Sequence, residues 1–138
     1  MKYFKFTEYS RSDTAIAHNI DNTPSTYQYQ KFEYLVDTIL DDLRECTNQS
    51  ITISSGYRCT ALNKLVGGVW NSQHLALGDS IAVDLVCDDM QLAFEWLRDN
   101  VYFDQLLFES NNRTQWIHIS LNVMGDNRNQ VNNNYRVK

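Results

Sequence analysis

The chain has only three histidines, His18, His74 and His118. His118 lies inside an apolar run, Trp116-Ile117-His118-Ile119-Ser120. On its own it reads as a buried histidine satisfied by a neighbouring polar group. His74 follows a polar stretch, Asn71-Ser72-Gln73, and Asp84 sits in a nearly unbroken apolar run from Ile81 to Cys87. A buried carboxylate without a partner is strongly disfavoured, so Asp84 needs one. A helix cap, an arginine such as Arg58, or a metal ion would each serve. Two histidines and one carboxylate form a catalytic zinc donor set with a fourth position left for water, whose pKa zinc lowers to about 7. Spacing alone does not select the metal, because these residues are scattered and no HExxH is present. The three cysteines, Cys46, Cys59 and Cys87, form no CxxC pair, and an odd count does not make a disulfide framework. Cys46 and Cys87 read as small core residues. A cysteine hydrolase built on Cys59 would need a histidine, and none is near it in sequence.

These residues need a scaffold. A chain of 138 residues with 43% hydrophobic content is expected to form a single domain, residues 1–138, with a real core. A net charge of −5 gives no attraction for phosphate backbones, so nucleic acid is not an expected partner. No apolar run approaches the roughly 18 residues of a membrane span, so no membrane insertion is expected. The first residues lack the apolar stretch and small-residue cleavage site of a signal peptide, which points to synthesis in the cytoplasm.

The polar, turn-rich residues up to 27 read as an irregular N-terminal arm. Ser25 or Thr26 can then cap a helix over 28–45, whose Phe32, Leu35, Val36, Ile39, Leu40 and Leu43 share one face. Ile51–Ser54 reads as a short strand. Thr60 can cap a short helix that ends at Gly67-Gly68. Ile81–Cys87 suits a central strand. Asp88 or Asp89 can cap a helix to about Asn100, with Leu92, Phe94, Trp96 and Leu97 as its apolar side. Gln105–Glu109 and Trp116–Leu121 read as a hairpin around a polar loop. The Asn-rich tail, 122–138, reads either as a solvated terminus or as an edge strand at Gln130-Val131. Mixed helices and strands without a βαβ period indicate an α+β fold with a small, mostly antiparallel central sheet flanked by helices.

Several motifs in order carry a family resemblance. Ser54-Ser55-Gly56-Tyr57-Arg58 leads into Leu62-Asn63 and Val66-Gly67-Gly68, then Asn71-Ser72-Gln73-His74-Leu75. An acid on a strand and Trp116-Ile117-His118-Ile119-Ser120 follow. Arg11–Ala15, Ile20–Pro24 and Phe103–Glu109 add to the pattern. Over about residues 4–131 the chain resembles the M15 zinc peptidases, nearest the short D-Ala-D-Ala carboxypeptidase-like proteins of phages and bacteria. The resemblance implies the M15/Hedgehog-like zinc peptidase fold and one Zn2+ per chain held by His74, Asp84 and His118. It implies that Arg58 binds a substrate carboxylate and that Ser72 faces substrate, with Gln73 structural. The implied activity is zinc-dependent cleavage of peptidoglycan stem peptides, as a D,D-carboxypeptidase or an endopeptidase; separately, a monomer is expected. A phage or prophage lysis enzyme, released to the periplasm or cell wall, fits that context. The alternative is a non-catalytic wall-binding or virion module on the same fold.

Two departures from the family pattern bear on the site. The family spacing HxxGxAxD has seven residues from histidine to acid, whereas His74 to Asp84 carries three more. Asp84 is aligned as the ligand because Ala82-Val83-Asp84-Leu85 keeps the AxD pattern, with Asp79 the other possibility. The family also often has Asp or Glu three residues before the second histidine, where this chain has Gln115. Glu109 is the expected general base instead. With Glu109 opposite Trp116 in an antiparallel pair, Glu109 and His118 would share a face; a one-residue slip would turn Glu109 away.

Overall fold

The computed structural model describes the backbone of residues 1–136 and side chains through Asn133. Five strands form one sheet: β1 (Thr52–Ser55), β2 (Ser80–Val86), β3 (Gln105–Ser110), β4 (Gln115–Asn122) and β5 (Gln130–Arg136), in the order β1-β2-β4-β3-β5. Every pairing is antiparallel except β3 with β5, which is parallel. With its flanking helices this is the α+β fold expected.

The sheet has two unlike faces because side chains alternate along each strand. Ile81, Val83 and Leu85 of β2, Ile117 and Ile119 of β4 and Leu106 of β3 are fully buried in one apolar cluster. That cluster also holds Phe32, Leu35, Val36, Ile39, Leu40 and Leu43, and Phe94 and Leu97. The opposite face carries Asp84, His118, Ser120, Gln105 and Glu109, the intervening residues of the same strands. One face is thus a core, and the other is left for polar chemistry.

The long helix begins where its sequence dictates. Ser25 Oγ accepts from Gln28 N at 3.2 Å, and Gln28 Oε1 accepts from Ser25 N at 2.8 Å, a reciprocal capping box. It runs as α3 (Thr26–Leu35), a π-helical turn (Val36–Leu40) and α4 (Asp41–Thr47), ending at Asn48 with φ +51°. Five-residue α1 (Phe6–Ser10) and α2 (Asp13–Ala17) precede it, and α5 (Thr60–Leu65) and α6 (Met90–Asn100) complete the helices. Asp89 caps α6 by accepting from Leu92 N.

Several expectations are corrected here. The N-terminal arm is not irregular: Ser12 caps α2, and Tyr9 of α1 is fully buried, stacked on Phe32 with ring centroids 4.7 Å apart. Helices this short show no periodicity, so only the core that receives them reveals them. Of the two readings of the Asn-rich tail, the edge strand is the one formed, as β5. Cys46 is exposed rather than core, because the inward stripe of α4 passes through Leu43 and Thr47. Leu92 is also exposed, since the inward stripe of α6 is Ala93, Phe94 and Leu97. Cys59, not Thr60, occupies the cap position of α5.

The turn into β5 is clamped by a buried acid. Asp104 accepts from Arg128 N and Nε, both at 3.0 Å, and from Arg128 Nη2 at 2.6 Å. The Arg128 hydrogen bonds hold the Asp104 carboxyl below its ordinary pKa, against the opposing effect of burial. A depressed carboxylate stabilises the fold above its unfolded pKa of about 4, and that contribution is lost as pH falls through the folded value. Asp104→Asn should therefore lower unfolding free energy by about 2–4 kcal/mol at pH 7. Urea titrations of both proteins should converge as the pH drops below about 4.

Candidate metal centre and active site

The β2–β4 register places Asp84 directly opposite His118. Asp84 Oδ1 lies 3.1 Å from His118 Nδ1 and 3.2 Å from His74 Nε2. His74 comes from a different element, a 3₁₀ turn over Gln73–Leu75, and one ligand atom from each of the three residues lies within 4.8 Å of the others. His74 and His118 are buried, at 3% and 8% exposure. Burial opposes ionisation of Asp84, but charge and hydrogen bonding from the two histidines outweigh it and hold the carboxyl well below its ordinary range.

The tautomer of His74 follows from its neighbours. Its Nδ1 lies 2.8 Å from Gly56 O, and a carbonyl only accepts, so Nδ1 carries the proton. In the neutral ring, Nε2 then presents a lone pair to the Asp84 carboxylate. Two acceptors at 3.2 Å need a cation or a shared proton between them. His118 Nδ1 faces the same oxygen, while its Nε2 is buried without a hydrogen-bond partner. Two ring nitrogens and a carboxylate oxygen converging on one point fit zinc, and a backbone carbonyl orienting one histidine is the usual outer support of such a site.

The three extra residues before Asp84 do not dislodge it, because a buried cation gathers them. Lys31 Nζ donates to the carbonyls of Ala76, Gly78 and Ser80 at 2.6, 2.8 and 2.8 Å. Ala76 and Gly78 take positive φ, +52° and +56°, which turns the loop back on itself. Burial pushes the Lys31 ammonium below its ordinary pKa. Sequence reading passed over Lys31, although it sits on the apolar stripe of α3, four residues before Leu35. A lysine in that register was the available signal. Asp79, the other possible ligand, points elsewhere and accepts from Tyr27 Oη at 3.4 Å.

Arg58 is positioned from both sides. Asn22 Oδ1 accepts from Cys59 N at 2.8 Å, and Asn22 Nδ2 donates to Tyr57 O at 2.8 Å and Ser10 O at 2.9 Å. Arg58 N donates to His74 O at 2.9 Å, tying the arginine segment to the His74 turn. The guanidinium donates to Ser72 Oγ at 3.1 Å, and that hydroxyl also accepts from His74 N at 3.2 Å. Among the described residues Arg58 makes no ion pair, so the pairing with Asp84 considered from sequence is not realised. Its Nε is buried and unpartnered. Burial lowers its pKa, and the nearby charges of Asp84 and Glu109 oppose that shift.

Glu109 pairs with Trp116 and Leu107 with His118, the register expected, so Glu109 and His118 share a face. Glu109 Oε1 lies 3.8 Å from His118 Nδ1. Glu109 is 9% exposed, and burial raises its carboxyl above the ordinary value. Gln115 is exposed at the start of β4 and does not line the cleft. Arg58, Ser72, His74, Glu109 and His118 line one cleft of about 440 Å³. Gln73 is structural, donating to Asp104 Oδ2 at 2.8 Å and Ser80 Oγ at 3.2 Å. No histidine lies within hydrogen-bonding reach of the Cys59 thiol among the described residues, and Cys87 is pushed up to about 11 by burial.

The His-Asp-His set lies beside a buried acid and an arginine that makes no ion pair among the described residues, an arrangement that suits metal-dependent hydrolysis. The Peptidase M15 family model matches residues 2–120. The chain belongs to the peptidase M15 family, peptide hydrolases that are generally zinc-dependent. No curated protein matches it. Among the described residues no helix is long and apolar enough to cross a membrane.

A Cβ at Gly56 would overlap the Tyr9 carbonyl oxygen, which also accepts from Tyr57 N at 2.8 Å. Gly56→Ala must push back the segment that orients His74. Zinc affinity, measured by competition with a chromophoric chelator, should fall about 10–100-fold, as for other changes in metal-site support.

Proposed function

We propose that this protein is a zinc-dependent peptidase that cleaves peptidoglycan stem peptides, with His74, Asp84 and His118 as the metal ligands. The observation that carries the reading is the convergence of those three residues beside a buried carboxylate, Glu109, and an arginine with no ion pair, Arg58, in one cleft. Zinc held there supplies a Lewis acid and a bound water with a pKa near 7.

The chain's own groups supply the rest. Glu109, raised in pKa by burial, accepts the proton of the attacking water and returns it to the leaving amine. Arg58 offers its guanidinium to a substrate carboxylate, a match its planar fork makes bidentately. Ser72 holds that guanidinium through its hydroxyl and faces the same substrate group. His74 keeps its orientation through Gly56 O, so its ligand nitrogen is set before substrate arrives. A terminal carboxylate favours carboxypeptidase action on D-Ala-D-Ala ends, and a side-chain carboxylate favours endopeptidase action within the stem. The protein then acts at the periplasm or cell wall, as a phage or prophage lysis enzyme would.

Turnover of a purified stem pentapeptide, followed by release of D-alanine or of an internal fragment, tests the reading. Glu109→Gln should keep its zinc, by elemental analysis, while kcat falls about 10²–10⁴-fold. Dialysis against EDTA should abolish turnover and added zinc restore it. Wall-peptide binding without cleavage by the zinc-loaded protein would favour the non-catalytic wall-binding module instead.

A further inference from the structure

The family match ends at residue 120, but the cleft does not. Gln130, the first residue of β5, lines it together with Gln105, His118 and Glu109. Register accounts for this. Gln105 pairs with Ser120 on β4 and with Gln130 on β5, so both glutamines lie on the face that carries His118, two residues from Ser120.

The two side chains are joined, Gln105 Nε2 donating to Gln130 Oε1 at 2.9 Å. A primary amide has two donor hydrogens and one acceptor oxygen. Once paired, the couple keeps one carbonyl oxygen and one amide nitrogen for the cleft, and exchanging oxygen and nitrogen in both leaves the same complement. One acceptor beside one donor matches one residue of an extended peptide, whose N–H and C=O point to the same side.

The backbone beneath the pair is rigidly held. Gln130 N donates to Asp104 O and Asn129 N to Phe103 O, both at 3.0 Å. Asp104 also receives Arg128 and Gln73, the residue before His74, so the β5 turn and the ligand turn share one anchor. Binding groups fixed in advance lose little freedom when a ligand arrives. Arg58 follows β1, at the other end of the strand order, with Asp84 of β2 and His118 of β4 in between.

We infer that the Gln105–Gln130 amide pair is a substrate subsite, binding the backbone N–H and C=O of one residue of an extended peptide on the side of the metal ligands away from Arg58. Strand spacing of about 4.8 Å and a rise of about 3.4 Å per residue put it roughly two to four residues from the bond cleaved. The inference rests on the peptidase reading above. Because it engages the backbone and not side chains, the subsite accepts residues of either configuration, including the D-residues of a stem peptide.

The test uses the zinc-loaded full chain, the variants Gln105→Ala and Gln130→Ala and their double, and two probes. A stem pentapeptide is long enough to reach the pair, and the dipeptide D-Ala-D-Ala is not. KM is measured for each probe, and affinity by calorimetry in the Glu109→Gln background. Each variant should weaken the pentapeptide about 5–10-fold. The double should be no worse than about either single, since the pair acts as one unit. Dipeptide parameters, zinc content and melting temperature should not move. Unchanged pentapeptide binding while the parent protein still cleaves overturns the subsite and leaves the peptidase reading standing. Equal weakening toward both probes also overturns it. A zinc-loaded parent protein that neither binds nor cleaves either probe overturns the peptidase reading, and the subsite with it.

Discussion

The antiparallel register between β2 and β4 is the constraint from which the rest of the site follows. It sets Asp84 across from His118 on the open face and leaves Ile81, Val83, Leu85, Ile117 and Ile119 on the closed one. Side chains alternate with a period of two, so a slip of one residue would bring Val83 or Leu85 to His118 and drive the carboxylate into the core. Burying the apolar residues therefore excludes the odd slips that would take Asp84 away from the face of His118. The same logic extends to β3, where placing Leu106 in the core puts Glu109 beside His118.

His74 needs a separate solution because it arrives on a loop. Its ring is steered by Gly56 O, its backbone N–H by Ser72, and its carbonyl accepts from Arg58 N. Behind it Lys31 collects three carbonyls of a loop that has no regular partner. A buried ammonium is costly unless its donors are used, and the inward-facing carbonyls of the loop need donors in turn. Each deficit is met by the other. The loop can thus be longer than the family pattern while His74, Asp84 and His118 still converge.

The cleft is divided electrically. Asp84 and Glu109 make one side negative, and Arg58 supplies positive charge without touching either acid. A guanidinium half withdrawn from water, with one nitrogen unpartnered, is poorly satisfied by the protein alone. Under the proposed reading, an incoming substrate carboxylate would complete it.

The sequence by itself determined the elements that repeat a period long enough to see. The apolar stripe from Phe32 to Leu43, the alternation in Trp116–Leu121 and the run Ile81–Cys87 specified the long helix and the two central strands. The family resemblance, not periodicity, pointed to His74, Asp84, His118, Glu109 and Arg58; the structure brings His74, Asp84 and His118 together and lines one cleft with Arg58, His74, Glu109 and His118. What only the tertiary structure decided lies where a residue's role depends on distant partners. Lys31, Asn22 and Asp104 are ordinary polar residues in sequence. Their importance comes from carbonyls and amides between 12 and 49 residues away, such as Ser10 O for Asn22 and Ser80 O for Lys31. The short helices of the N-terminal arm and the edge strand β5 were likewise undecided by local pattern, being too short or too polar to declare themselves. They form because the core and the free edge of β3 were already there to receive them. Local periodicity records which face a residue turns to the core, and only the closed fold records what it meets there.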